Sequence, residues 1–138
     1  MTAKKNILVV DDDRDLVASI EVYLGARGYA VQTAGNGSEA LEAIGRCKPD
    51  LAILDVMMDY DAEGFTLAYK LQDAPETHDI PIIILSGFTQ HLDTKAAAFE
   101  PIMGREWPAA KFFQKPVELR ELAETVAALT AGDIAPQV

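Results

Sequence analysis

Four short apolar runs punctuate this chain of 138 residues, and each ends at a polar side chain that can carry charge or bind it: ILVV before Asp11, LAIL before Asp55, PIIIL before Ser86, and KFFQ before Lys115. The runs are rich in β-branched residues and nearly continuous in their hydrophobicity. That pattern predicts strands covered on both faces. Longer amphipathic stretches separate them, so the chain reads as repeated strand–helix units and an α/β fold with a largely parallel sheet. In such a sheet all strands end at one edge. Asp11, Asp12, Asp55 and Lys115 would then meet there as a cluster of carboxylates with one cation.

The chemistry of that cluster follows from its charges. Crowded carboxylates repel one another until a cation neutralises them, and a hard divalent ion such as Mg2+ prefers oxygen ligands. A lysine beside it offers a compact charge for a phosphoryl oxygen.

The strand candidates are Asn6 to Asp11, Tyr29 to Thr33, Leu51 to Asp55, Pro81 to Ser86 and Lys111 to Gln114. A first helix is expected from about Asp13 to Arg27, with Leu16, Ile20, Tyr23 and Leu24 at helical spacing and Gly28 as its C-terminal cap. A second begins near Gly37 to Glu39, where Asn36 can cap the first turn and Glu39 can reach back, with Ala40, Leu41 and Ile44 as the buried stripe. A short third helix spans about Phe65 to Gln72. The last runs from Pro116 to Ala131, with Leu119, Leu122, Val126 and Leu129 on one face. Thr89 to Phe99 is a further helix candidate, and Pro101, Gly104 and Pro108 break any helix beyond it, predicting an irregular loop up to Ala110. Residues 1–131 are read as one domain and 132–138 as a disordered tail.

Composition narrows the function classes. A net charge of −10 argues against direct nucleic-acid contact, which needs a basic footprint to displace counterions. The single cysteine, Cys47, precludes an intramolecular disulfide and fits a reducing cytoplasmic setting. It reads as a small apolar filler. No run is long enough to span a bilayer, so membrane insertion is not expected. His78 and His91 lie apart from each other and from the acidic cluster.

The motifs ILVVDDD, LAILDVMM, IPIIILSG and FFQKPV, in this order, resemble the receiver domain of two-component response regulators from about Lys5 to Leu129. The resemblance implies a flavodoxin-like doubly wound five-stranded parallel sheet of order 2-1-3-4-5, with helices on both faces. It implies that Asp55 is the phosphoacceptor, that Asp12 binds Mg2+ directly and Asp11 largely through water, and that the backbone carbonyl of Met57 completes the protein ligands. Ser86 and Lys115 would bind the phosphoryl oxygens, and Phe112 corresponds to an aromatic whose rotamer accompanies switching. Taken alone, Phe112 reads equally as a fixed core residue, as does Phe113.

A family member of this kind takes a phosphoryl group from a sensor histidine kinase or phosphotransfer protein and signals by contact with a downstream protein. It is not an enzyme beyond its own phosphorylation and slow dephosphorylation. Receivers also commonly pair as homodimers through the fourth helix, fifth strand and fifth helix. Two other readings compete: a receiver-shaped interaction module that works without phosphorylation, and a small aspartate-nucleophile phosphatase built on Asp11 and Asp13. Asp13 is otherwise a helix cap or an exposed residue.

The chain departs from the family pattern in two places. Asp59 replaces the customary proline and Gly64 falls one residue later, beside the metal site. FEPIMGREWPAA replaces the usual Gly-Ala turn before the fifth strand, and there Trp107 and Met103 either pin the segment to the core or form a partner patch. Met57 and Phe88, two residues beyond Asp55 and Ser86, place apolar side chains where hydrolytic water would approach. Met57→Asn should therefore shorten the lifetime of the phosphorylated protein, read as the decay of the phosphoprotein mass after donor removal; decay no faster than wild type would refute the assignment.

Overall fold

The computed structural model describes residues 5–55, 63–86, 111–114 and 116–131. Five strands form one parallel sheet: β1 (Asn6–Val10), β2 (Ala30–Ala34), β3 (Leu51–Asp55), β4 (Ile82–Ser86) and β5 (Lys111–Gln114). Their order is β2-β1-β3-β4-β5, as the resemblance implies. Four helices are described: α1 (Arg14–Ala26), α2 (Gly37–Arg46), α3 (Glu63–Asp73) and α4 (Leu119–Ala131). The expected helix from Thr89 to Phe99, the irregular loop with Met103 and Trp107, His91, and the tail from Asp133 lie outside the described residues.

The continuous apolar runs alternate between two cores. Ile7, Val9, Leu51, Ile53, Ile83 and Leu85 face one side, where they pack with Ile20 and Leu24 of α1 and with Leu122, Ala123 and Val126 of α4. Leu8, Val10, Ala52, Leu54, Ile82 and Ile84 face the other, against Ala40 and Ala43 of α2 and Leu67, Ala68 and Leu71 of α3. A strand buried on both faces has no polar positions to spare, which is why the period-two signature is missing from the sequence. Phe113 packs beside the first core, so it serves as a core aromatic. The side chain of Phe112 lies outside the described set.

Local chemistry sets the helix ends. Asp13 caps α1, accepting from the Leu16 N–H at 3.2 Å. At the other end, Gly28 takes φ 99°, its N–H donates to the Gly25 carbonyl at 3.0 Å, and Tyr29 N–H donates to Leu24 at 3.2 Å. This is the Schellman closure, and Leu24 and Tyr29 meet in the same core. Asn36 caps α2 by accepting from Glu39 N–H at 2.9 Å, while the Glu39 carboxylate reaches the N–H of Gly35 at 2.7 Å, one residue before the position a standard capping box would use. The last helix starts at Leu119 rather than Pro116, because Glu118 caps it through the Glu121 N–H at 2.8 Å.

Two sequence expectations are corrected. Leu41 is 42% exposed, and Ala43 takes its place in the stripe with Ala40, because helix rotation brings residues three and four apart, not adjacent ones, to one face. Cys47 is an exposed residue at the end of α2, not a core filler: the helix stops at Arg46, and the thiol accepts a hydrogen bond from Asn6 Nδ2 at 3.1 Å.

Polar contacts close the N-terminal edge of the sheet. Asn6 N–H donates to Asp50 Oδ2 at 2.7 Å, and Lys48 pairs with Asp79 at 3.0 Å, tying the segment before β3 to the one before β4. The hydrogen bond from Lys48 is the main reason the Asp79 carboxyl sits below the usual carboxylate range. A depressed carboxyl favours the folded state above its unfolded value and loses that contribution as pH falls through the lowered one.

Ile53→Ala should lower unfolding stability by about 2–5 kcal/mol, since it opens a cavity in a fully buried site. Val22→Ala, at a helical position 72% exposed, should be neutral or slightly stabilising because alanine is the better helix former. Gly28→Ala should cost about 1 kcal/mol through its left-handed backbone. Urea denaturation of the three variants checks all three signs.

Candidate functional site

The sheet order creates the site. From β1 the chain moves outward to β2, then returns to the other side of β1 to form β3, so the connections leave β1 and β3 in opposite directions. A crevice opens at that reversal, outside the carboxyl ends of the strands. Val10 lies beside both Ala34 and Leu54 in register, which brings Asp11 and Asp55 to the mouth of the crevice on neighbouring strands.

The three consecutive aspartates take three different places. Asp11 is 2% exposed, and its N–H donates to the Ala34 carbonyl at 3.1 Å, extending the β1–β2 ladder by one residue. Its Oδ1 accepts the N–H of Asp13 at 2.9 Å, an Asx turn that orients the carboxylate and starts the bend into α1. Asp12 is exposed at the apex. Asp13 is occupied in capping α1.

Asp55 closes β3 and is 3% exposed. Carboxylate oxygens of Asp11, Asp12 and Asp55 all lie within 4.8 Å of one another. Among the described residues this trio is the carboxylate group that could hold a metal ion; Asp13 stands outside it and caps α1. The donor set fits a hard divalent cation: three carboxylates from two adjacent strand ends, two of them withdrawn from water, with no imidazole or thiolate in the group.

The remaining sequence candidates relate to the same edge in different ways. Ser86 ends β4, one residue beyond the Asp55–Leu85 register pair, and sits beside Gln114 at the end of β5. The described part of β5 thus ends, at Gln114, on the edge that carries Asp55. Lys115 itself, Met57 and the Asp59 loop lie outside the described residues, as do the side chains of Ser86 and Phe112. His78 is exposed in the segment that precedes β4, at the opposite edge of the sheet.

An open cleft of about 460 Å3 extends from the acidic cluster along α1 and the β2–α2 connection. Asp11, Asp12, Arg14, Glu21, Asn36 and Glu39 line it. Sequence reasoning had no role for Arg14. The available signal was its position: it directly follows the capping Asp13, at the helix end where a cation is disfavoured.

Comparison with known proteins agrees with this geometry. The model of the response regulator receiver domain family matches residues 7–127. Response regulator PleD of Caulobacter vibrioides is 39% identical over 124 residues, covering 90% of this chain and 26% of that protein. Response regulator MprA of Mycobacterium leprae is 34% identical over 123 residues, covering 89% of this chain and 50% of the relative. The chain therefore spans from about a quarter to half the length of these curated relatives. Among solved structures, the CheY-like response regulator receiver domain protein from Methanospirillum hungatei superposes with a TM-score of 0.77 at 27% identity, covering 95% of this chain and 97% of that one. With an α/β sheet of the order that the motifs implied and a family match across nearly all of its length, the chain belongs to the receiver domains of two-component response regulators.

Proposed function

We propose that Asp55 is the phosphoacceptor of this receiver, taking a phosphoryl group from the phosphohistidine of a sensor histidine kinase or phosphotransfer protein. The observation that carries the reading is the convergence of Asp11, Asp12 and Asp55 within 4.8 Å at the crevice between β1 and β3. Receiver domains act in signalling and interact with such kinases. A downstream protein reads the phosphorylated surface, and two copies pair through the segment around β5.

The chemistry asks little covalent work of the chain. An Asp55 oxygen attacks phosphorus, the bond from phosphorus to the donor nitrogen breaks, and the imidazole leaves with the electron pair and takes up a proton. Mg2+, when bound, would screen the repulsion between the attacking carboxylate and the phosphoryl oxygens. Asp11, Asp12 and Asp55 would hold it, together with the backbone carbonyl of Met57. Burial of Asp11 and its Asx turn keep that carboxylate fixed, which limits the reorganisation needed at the moment of transfer. Ser86 and Lys115 bind the new phosphoryl oxygens, drawing the ends of β4 and β5 toward Asp55. The Phe112 side chain follows that movement and alters the surface that partners read.

The functional unit in this reading is residues 1–131, working in the cytoplasm through protein contact and not as an enzyme toward other substrates. Among the described residues, no helix is long and apolar enough to cross a membrane.

Incubation of the 138-residue chain with acetyl phosphate should add the mass of one phosphoryl group in the presence of Mg2+. Removing the ion with a chelator, or changing Asp55 to Asn, should abolish the adduct. No adduct with an intact fold would favour the phosphorylation-independent interaction module. Asp12→Ala should weaken Mg2+ binding by about tenfold or more in isothermal titration calorimetry while leaving the sheet intact by circular dichroism. Unchanged Mg2+ affinity in that variant would remove Asp12 from the metal site.

A further inference from the structure

We propose that Arg14 is the anion-docking residue of this site, holding the phosphoryl group of an incoming donor in the open cleft that borders the acidic cluster. The inference rests on the reading of Asp55 as phosphoacceptor and adds to it a positioning residue. Arg14 shares the open cleft with Asp11 and Asp12, whose carboxylates lie within 4.8 Å of that of Asp55. It is the one basic side chain among the described residues lining the cleft, alongside four carboxylates. Even so, it makes no hydrogen bond or ion pair with any of them.

Its place in the helix sharpens the point. Arg14 is the first residue of α1, where unsatisfied backbone N–H groups carry partial positive charge and a cation is disfavoured. Asp15, the next residue, is of the charge type that helix end prefers. A guanidinium that is exposed, unpaired among the described residues and set at the electropositive end of a helix contributes nothing evident to stability. It is instead a ready partner for an anion from solution.

The donor supplies that anion. A phosphoryl group approaching three clustered carboxylates meets repulsion, and a planar guanidinium at the approach can bind two phosphoryl oxygens at once. With acetyl phosphate, an Asp55 oxygen bonds to phosphorus as the bond from phosphorus to the acetyl oxygen breaks, and acetate departs with the electron pair. Arg14 keeps its proton and forms no bond to phosphorus. Its role is to raise the local concentration of donor and orient it.

The test uses the full chain, with Arg14→Ala and Arg14→Lys, and two small donors: acetyl phosphate, and monophosphoimidazole as a stand-in for phosphohistidine. Second-order rate constants for Asp55 phosphorylation are read by mass at several ionic strengths, with Mg2+ affinity by calorimetry and thermal unfolding alongside. Arg14→Ala should slow phosphorylation by about fivefold with both donors and flatten the salt dependence, and lysine, which keeps the charge but cannot bind two oxygens in a fork, should restore only part of the rate. Mg2+ affinity should hold or rise, because a neighbouring positive charge has gone, and thermal stability should not fall. Opposite signs for donor rate and metal affinity separate docking from damage to the fold.

Wild-type rates with both donors would overturn the inference. A joint loss of rate and Mg2+ affinity would also overturn it, by assigning Arg14 a structural role. Slowing with acetyl phosphate alone would place the contact on the acetyl group and refute phosphoryl docking. A wild-type chain that accepts no phosphoryl group from either donor would instead overturn the phosphoacceptor reading itself.

Discussion

The register of β1 against β3 is the constraint on which the rest of this molecule depends. Val10 lies beside Leu54, so the next residue on each strand, Asp11 and Asp55, reaches the crevice together. A slip of one residue would turn Asp55 to the opposite face of the sheet and exchange the two cores, since strand side chains alternate with a period of two. The register is specified from both faces. Ile7, Val9, Leu51 and Ile53 are committed to the core under α1 and α4, while Leu8, Val10, Ala52 and Leu54 are committed to the core over α2 and α3. Two hydrophobic interfaces thus hold two carboxylates in place against their mutual repulsion.

The run Asp11-Asp12-Asp13 shows how position alone differentiates identical side chains. Asp11 continues a sheet ladder and is buried, Asp12 stands exposed where the chain turns, and Asp13 faces the first turn of α1. The Asp13 N–H to Asp11 Oδ1 bond couples the first and third, so the geometry that orients the buried carboxylate also sets where the helix begins. Acidic cluster and helix start are therefore one piece of backbone. A shift of the backbone at Asp13 would reach the acidic cluster through that bond, although Asp13 itself takes no place in the cluster.

Much of this was legible in the sequence. The strand candidates matched all five strands to within a residue, and β1, β3 and β4 were the plainest because a strand buried on both faces must be continuously hydrophobic. Asn36, Gly28 and the last helix's stripe were equally readable, since each follows from a local rule of capping or period. Where the reading missed, the deciding contacts were tertiary or depended on helix phase. Leu41 and Ala43 differ in burial through the rotation of α2 over the sheet, which a short window leaves ambiguous. Cys47 meets Asn6, 41 positions earlier in the chain, only once β1 is in place. The sheet order was not readable from periodicity; it came with the family resemblance, because many strand orders share one pattern of strands and helices. Arg14 was passed over for a related reason, since the cleft that gives it a role is formed by α1 and the β2–α2 connection together.

The charge balance of the chain bears on how such a site meets its donor. The protein carries −10 overall and a phosphoryl group is itself anionic, so the total charge of the chain gives no long-range attraction to that group. At physiological ionic strength, however, fields between exposed charges fade over roughly 8 Å. What the donor meets at the crevice is then set by the few charges within that distance, not by the total. The acidic trio repels it until neutralised, and a cation at the rim matters more than a dozen acidic residues on remote helices. This locality is what allows an acidic chain to use anionic chemistry, and it places the control of approach in the residues bordering the cleft.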